Sequence, residues 1–293
     1  MPEEEPQSQP QPTDAVLGGM GAQPRPYDAV LGGKTKDMTQ QEAVRKMDAQ
    51  PRPYDVVLGG KTKGIMRQEA LRRIERTISE KLMGLNLSRL NLKELPPEIV
   101  KCRYLTRLDL SHNQITSIPE AIGQLSNLEW LDLSHNKIIS IPQAIGQLSN
   151  LTVLGFSHNQ ITSIPEIIGQ LSNLERLDLS HNKVISIPEA IGQLSNLTGL
   201  GFSHNQITFI PEAIGQLSNL IVLYLRSNHI TSIPEAIRGM ENLEKLDLRG
   251  NPIPIPPEIL NDSRVTFGDP GYLRTILAFY FQTRDTNDTE ELN

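Results

Sequence analysis

A 23-residue segment recurs along most of the chain. The copy LTRLDLSHNQITSIPEAIGQLSN spans residues 105–127. Further copies follow at a constant step of 23 residues, first almost unchanged and then more loosely, beginning at Leu128, Leu151, Leu174, Leu197, Leu220 and Leu243. A fixed period of this size indicates a row of stacked units, each of which buries its apolar side chains only against its neighbours. The repeat therefore favours a binding surface over a catalytic pocket.

Each unit is expected to contain one short strand and one helical turn. Leu108 and Leu110 alternate with mostly polar residues, so the leucines face the interior and the intervening side chains face outward. Asn113 ends the strand, where a buried amide can satisfy backbone groups of the turn. Pro119 prevents the strand from continuing, and EAIGQL follows as the helical turn. Stacking such units gives a curved α/β solenoid with a parallel sheet on its concave side and helical turns on its convex side.

Composition and charge exclude several classes of protein. Aromatic residues make up only 4% of the chain, so leucine and isoleucine must supply the core. The net charge is −6 without any basic run, which argues against a nucleic-acid partner. No apolar run approaches the ~18 residues of a membrane span, the acidic start MPEEEPQSQPQPTD is unlike a signal peptide, and one cysteine cannot form disulfide-bonded caps. We therefore expect a cytoplasmic protein without membrane association.

Residues 1–63 have a different composition from the repeats. They are rich in proline, glycine and glutamine, and AQPRPYDAVLGGKTK at Ala22 recurs as AQPRPYDVVLGGKTK at Ala49. This composition predicts disorder. The DAVLGG elements resemble short VLGG-containing elements that precede other domains in some bacterial proteins. They are either a linker expanded by duplication or a linear docking motif.

Apolar stripes at spacings of three and four predict a capping helix at each end of the repeat domain, which we assign to residues 83–260. The N-terminal cap is assigned to residues 64–82, with the stripe Leu71, Ile74, Ile78 and Leu82. The C-terminal cap is assigned to residues 261–282, with the stripe Leu273, Ile276, Leu277 and Tyr280. Residues 283–293 are predicted to be a disordered polar tail.

Two sequence motifs suggest other chemistry. GGKTK, at Gly32 and Gly59, contains the GKT of a phosphate-binding loop, but Asp28 and Asp55 stand where that loop requires glycine and would repel a phosphate. Neighbouring histidines of a ladder could share a metal ion, because adjacent strands lie about 4.8 Å apart, but no second type of ligand converges on them. The ladder consists of His112, His135, His158, His181 and His204. We interpret it as a stacked turn position and predict no cofactor, metal or catalytic site.

The outward side chains of the strands form the candidate binding face. Trp130 is the only tryptophan, and aromatic anchors concentrate binding energy. A second cluster lies at the C-terminal end, where the repeat departs from its consensus, and a shallow trough of glycines 155, 199 and 201 separates the two. The predicted protein-binding residues are Arg107, Trp130, Arg176, Tyr224, Arg226, Lys245 and Arg249. The alternative is a solvent-exposed face that contacts no partner.

The unit LxxLxLSxNxIxxIPxxIGQLxNL resembles the intracellular leucine-rich repeats of Ras-group and scaffold-type proteins, from about Leu82 to Leu260. The resemblance implies a leucine-rich repeat solenoid that recognises proteins, often small GTPases or kinases. The sequence LRGNPIPIPPEIL, followed by GDPGYLRTILAFYFQ, is similar to the junction before the GTPase domain of bacterial Roco proteins. Because the sequence ends at Asn293 without such a domain, no GTPase activity is expected.

These observations predict a monomeric, cytoplasmic signalling or scaffold module that is not an enzyme and binds a protein on its concave face. A regulatory partner of a separate small GTPase or kinase, as in a Roco system, is the alternative. A nucleotide hydrolase that uses the GGKTK segments is the third hypothesis.

Overall fold

The computed structural model, which describes residues 62–260 and 270–290, contains one open sheet of eight parallel strands in chain order. Each strand pairs with the next at a shift of one repeat unit, so that Leu108 lies opposite Leu131. The strands are β1 Gly84–Asn86, β2 Arg107–Asp109, β3 Trp130–Asp132, β4 Val153–Gly155, β5 Arg176–Asp178, β6 Gly199–Gly201, β7 Val222–Tyr224 and β8 Lys245–Asp247. The predicted repeat solenoid with a parallel sheet is confirmed.

A short 3-10 helix returns the chain from each strand to the next. Pro119 has an extended backbone (φ −69°, ψ 147°), and the Leu125 N–H closes the following turn on the Ile122 carbonyl at 3.0 Å. Connections of this length commonly adopt the tighter 3-10 form. The 3-10 helices are Pro97–Lys101, Glu120–Gln124, Gln143–Gln147, Glu166–Gln170, Glu189–Gln193, Glu212–Gln216 and Glu235–Gly239.

Columns of aliphatic side chains fill the space between the sheet and the 3-10 helices. Leu108 is fully buried, and Phe156 and Phe202 take leucine positions of the strand with no exposure. Cys102 stands in a leucine column of the helical turns and is 3% exposed, as its position in the repeat predicts. Burial raises the pKa of its thiol to about 11, so it is a packing residue rather than a nucleophile.

A column of buried asparagines ties each unit to the preceding one. The Asn113 Oδ1 accepts a hydrogen bond from the Leu92 N–H at 3.0 Å. Its Nδ2 donates to the Leu87 and Leu110 carbonyls, each at 2.9 Å. The predicted role of the amide in satisfying backbone groups of the turn is confirmed. The same position is filled by Asn136, Asn159, Asn182, Asn205, Asn228 and Asn251.

An α-helix, α1 (Thr62–Ser79), packs beside strand β1. Ala70 and Ile74 are fully buried, and the Arg73 Nη1 donates to the Asn86 carbonyl at 2.9 Å. The buried face is rotated relative to the predicted stripe, since Ala70, Arg73 and Thr77 are buried together with Ile74. Three members of that stripe are only half-buried, namely Leu71, Ile78 and Leu82.

Two further helices follow the last strand, α2 (Pro257–Leu260) and α3 (Pro270–Glu290). The Tyr280 hydroxyl accepts a hydrogen bond from the Ile233 N–H at 3.1 Å, which docks α3 on the last unit. Helix α3 extends past residue 283, where the sequence analysis begins the polar tail, and the Arg238 guanidinium pairs with Asp285 at 3.2 Å. The buried side chains of α3 include Leu273, Ile276, Tyr280 and Phe281.

The segments on which several sequence predictions fall lie outside the described residues. These are residues 1–61, with the DAVLGG elements and nearly all of the GGKTK motifs, residues 261–269, and residues 291–293. The disorder predicted for residues 1–63 and the domain boundaries stay predictions.

Candidate protein-binding face

The outward side chains of the sheet form three columns, which we call the concave sheet face. The first column is the first residue of each strand, and the second column is the third residue, because successive residues of a strand point to opposite sides. The third column lies two residues farther on, just beyond the strand. All seven predicted binding residues lie on this face, at positions that recur with the 23-residue period.

Arg107 and Trp130 form one end of the face. The two residues are register partners on strands β2 and β3. The Arg107 guanidinium carbon lies 4.8 Å from the centre of the Trp130 indole, a cation–π geometry. Both side chains are half-buried, so each covers part of the other and still presents area to a partner. This pair forms a preorganised aromatic and cationic patch.

The middle of the face carries one arginine, one aspartate and glycines, which have no side chain. Arg176 begins strand β5, and Asp178 ends it between the glycines of the flanking strands. Desolvation, together with the charge of Asp132, raises the pKa of Asp178 to about 6, even though the Ser180 N–H donates to its carboxylate at 2.9 Å. Gly155 and Gly201 flank Asp178 without side chains of their own, and Gly201 is buried. The shallow trough stays a prediction.

The C-terminal cluster is brought together by strands β7 and β8. Tyr224 is the register partner of Asp247, and desolvation followed by the Asp247 charge raises the pKa of its hydroxyl to about 12. Arg249 donates to Asp247 with two nitrogens, Nε at 2.8 Å and Nη2 at 2.7 Å. Lys245 is half-buried and Arg226 is exposed. The cluster is therefore one aromatic ring beside cationic groups, one of which is held by a buried carboxylate.

The predicted residues do not form one continuous patch. Trp130 and Tyr224 lie four strands apart, about 19 Å at the usual strand spacing. Arg176 stands midway between them, two strands from each. The face thus offers two separate groups of anchors with strands β4–β6 between them.

The second column is less accessible than strand alternation indicated. Asp109, Asp132 and Asp247 are 6%, 7% and 4% exposed, although their side chains point away from the core. The Asp109 carboxylate folds back and accepts a hydrogen bond from the Ser111 N–H at 2.9 Å, and the same contact recurs at Asp132. These aspartates hold the turn after the strand, a local role that the sequence analysis did not assign.

The five histidines form a continuous stack beside the third column. Neighbouring ring centres are 4.0–4.2 Å apart and the planes differ by 9–13°. Each backbone has a positive φ of 55–57°, a conformation that histidine tolerates better than most residues. Parallel rings aim their nitrogens side by side rather than at one point. Among the described residues, no group of three or more potential ligands could hold a metal ion.

Comparison with known proteins identifies the family. A leucine-rich repeat model matches residues 80–138 and 195–253, and a model of two repeat copies matches residues 126–169, 149–192 and 172–214. These matches run without a gap from residue 80 to residue 253. The chain is a leucine-rich repeat protein. No curated protein matches its sequence.

Several solved leucine-rich repeat structures are similar to this one. A leucine-rich repeat protein of Leptospira interrogans is 34% identical with a TM-score of 0.56, over 61% of this chain and 52% of that chain. The ectodomain of the Arabidopsis thaliana receptor kinase GASSHO1/SCHENGEN3, solved in complex with CASPARIAN STRIP INTEGRITY FACTOR 2, is 38% identical with a TM-score of 0.52, over 54% and 20%. An internalin of Listeria monocytogenes is 28% identical with a TM-score of 0.53, over 59% and 48%. The chain therefore matches about half, or less, of the length of these leucine-rich repeat structures.

A helix that crosses a bilayer must be about 20 residues long and mostly apolar. None of the helices in the described ranges is both long and apolar enough to cross a membrane.

Proposed function

We propose that this leucine-rich repeat domain is a non-catalytic module that binds a protein partner on its concave sheet face. The main support is that strands β2–β8 pair in one constant register, which aligns their outward side chains in columns. At one end of these columns the half-buried Trp130 indole stacks against the Arg107 guanidinium. Aromatic and arginine side chains of this kind are the usual energetic centres of protein interfaces. The receptor ectodomain described above was solved in complex with CASPARIAN STRIP INTEGRITY FACTOR 2, which is consistent with a binding use of the fold.

The test is affinity capture with a matched pair of double variants. Trp130→Ala with Tyr224→Ala removes one anchor from each end of the face. Ile185→Ala with Phe209→Ala removes two large side chains, 55% and 49% exposed, that lie outside the strands. Wild type and the second variant should retain the same partner from native lysate, and the first should lose it. If the first variant retains that partner, the concave sheet face is not the binding surface.

A regulatory partner of a separate small GTPase or kinase, of Roco type, is the alternative function. It is favoured by the sequence LRGNPIPIPPEIL after strand β8, which resembles the Roco junction. A captured GTPase that binds the purified protein only with GTP or only with GDP would support it. A partner that is neither a GTPase nor a kinase would contradict it.

A nucleotide hydrolase is the least favoured alternative. Its only support is the GKT within the GGKTK segments. Calorimetric titration with ATP and GTP tests it, since micromolar binding would support it and the absence of heat would remove it.

We also propose that the module acts as a monomer in the cytoplasm. Light scattering coupled to size-exclusion chromatography and fractionation of source cells test these two statements. A stable dimer or a secreted pool would overturn one of them.

A further inference from the structure

A groove runs along the N-terminal ends of strands β3–β8, beside the concave sheet face. Its volume is about 770 Å³, and two columns of side chains line it. One column consists of Asn150, Asn173, Asn196, Asn219 and Asn242. The other, at the residue before each strand, consists of Glu129, Thr152, Glu175, Thr198, Ile221 and Glu244. None of the seven predicted binding residues lines this groove.

The asparagines are held in one orientation by the repeat itself. The Asn150 Nδ2 donates to the Ser126 carbonyl of the preceding unit at 2.8 Å, and Asn173 donates to Ser149 at 2.9 Å. The remaining asparagines repeat this contact at 2.8 Å. Each amide therefore keeps only one N–H for a ligand but both lone pairs of its oxygen, since no Oδ1 of this column accepts a bond from the described residues.

The threonines add to this imbalance between donors and acceptors. The Thr152 hydroxyl donates to the Glu129 carbonyl at 3.0 Å, and the Thr198 hydroxyl donates to the Glu175 carbonyl at 3.1 Å. Their oxygens keep lone pairs, whereas their single hydrogens are used. The groove thus presents more hydrogen-bond acceptors than donors.

The charges of the groove also favour a cationic ligand. Glu129, Glu175 and Glu244 are exposed, and in the part of the chain that the structure describes none of them forms an ion pair. No lysine or arginine lines the groove. An open cleft with one sign of charge and spare acceptors is complementary to a cationic, donor-rich ligand.

We propose that this groove binds an extended segment of a protein partner through its lysine or arginine side chains. The inference rests on the proposed protein-binding function and adds a second contact surface, with a defined chemistry, beside the anchors of the concave sheet face. A partner would then hold the anchors at one end of the concave sheet face while its basic segment follows the groove along the edge of the sheet.

The spacing of the carboxylates predicts where the cationic residues stand in the bound segment. Glu129 and Glu175 precede strands two apart, about 10 Å, and Glu175 and Glu244 precede strands three apart, about 14 Å. An extended chain advances about 3.3 Å per residue. Side chains of an extended chain alternate between its two faces, so cationic residues at positions i, i+4 and i+8 all face the groove. They lie about 13 Å apart, and a lysine side chain is long enough to adjust to carboxylates spaced by about 10 and 14 Å.

The experiment measures binding of defined peptides to the full chain by fluorescence anisotropy at low ionic strength. The probe is fluorescein-labelled GKSSSKSSSKG, with lysines at the matching positions, and its isomer GSSSKKKSSSG has the same composition and charge. The first peptide should bind several-fold more tightly. The triple variant Glu129→Gln, Glu175→Gln, Glu244→Gln should weaken its binding by about tenfold or more, because three ion pairs are lost together.

The matched control is Glu94→Gln, Glu189→Gln, Glu258→Gln, which removes the same charge from exposed positions outside the groove. It should bind the spaced peptide as wild type does. Three results would contradict the proposed groove. They are equal affinity for the two peptides, an equal loss of affinity in the two triple variants, and no binding of either peptide. All variants keep Trp130 and Tyr224, so failure here is distinct from failure of the concave sheet face, which the capture experiment reports.

Discussion

At the scale of a residue, the asparagine of each unit shows how one side chain joins two turns of the solenoid. The Asn182 Oδ1 accepts a hydrogen bond from the Ile161 N–H at 2.9 Å. Its Nδ2 donates to the Phe156 and Leu179 carbonyls at 2.9 and 3.0 Å. The side chain is 8% exposed, so bulk water cannot take over these contacts. Buried backbone groups require partners, which makes the amide a structural necessity at this point.

Replacing Asn182 with alanine should lower the free energy of unfolding by roughly 2 kcal/mol, because the Ile161 N–H loses its partner in the interior. The Phe156 and Leu179 carbonyls each lose one of two donors, since they also accept from Asn159 and Asn205. Urea unfolding followed by circular dichroism measures the change. Gln160→Ala, at an exposed position of the same turn region, should change it by less than about 0.5 kcal/mol. Equal unfolding midpoints for the two variants would contradict this account of the asparagine column.

At the scale of an element, the turn that follows each strand places one imidazole on the next. Desolvation and the neighbouring charges lower the pKa of His135 and His158, and they lower the pKa of His181 to about 4. The charged groups that face His135 are Asp132, which opposes the shift, and Arg89, which adds to it. The stack therefore favours neutral rings, since a proton on one imidazole repels a proton on the next.

The stack should make the array less stable in mild acid. In the unfolded chain His181 takes up a proton near its ordinary pKa of 6.5, whereas the folded chain resists protonation until about pH 4. The stabilisation is thus complete above pH 6.5 and is lost as the pH falls toward 4. His181→Asn keeps a residue suited to positive φ but cannot titrate. Its urea midpoint should fall less than that of wild type between pH 6.5 and pH 4.

The comparison of variant and wild type is needed because Asp178 titrates in the same range with the opposite sign. Its pKa is raised in the folded chain, so its protonated form favours folding and that contribution is lost as the pH rises from about 4 to about 6. Both proteins retain Asp178, so its effect cancels in the difference. Equal pH dependence of the two midpoints would show that the stack does not control proton uptake.

At the scale of the whole molecule, the array is a sum of nearly interchangeable units. Residues 128–173 and 174–219 differ at only six positions, which indicates that a block of two units was copied. A finely matched interface would rarely survive such an insertion through its middle. The two groups of anchors lie at opposite ends of the concave sheet face, so a partner is expected to contact the anchors of one end. The groove differs from the anchors because the duplication extends it with the same kinds of side chain.

Removing residues 174–219 should leave a folded, shorter array, because Asn173 then joins Leu220 in the original register. The far-ultraviolet circular dichroism spectrum should keep its shape, and unfolding should stay cooperative at a lower midpoint. Removing residues 174–208, which is not a whole number of units, should abolish cooperative unfolding because the apolar columns no longer meet. Cooperative unfolding of that second deletion would show that the register is not required.

The sequence alone determined which residues lie opposite one another. Because neighbouring units are separated by 23 residues, the strand register, the aliphatic columns, the buried asparagines and the place of Cys102 follow from the period. The outward columns, with Trp130 and Tyr224 among them, follow from alternation along each strand. The stacked histidines follow for the same reason. These features depend only on position within the unit.

Only the tertiary structure decided the solvent exposure, ion pairs and hydrogen bonds of the outward side chains. It placed the Arg107 guanidinium on Trp130, tied Arg249 to Asp247, and folded the second-column aspartates onto their own turns. It also turned Ala70 rather than a leucine toward the first unit. Side-chain rotamers and desolvation depend on atoms that neighbouring units and caps contribute. The repeat period determines which residues are neighbours, but it does not determine the conformations of their side chains.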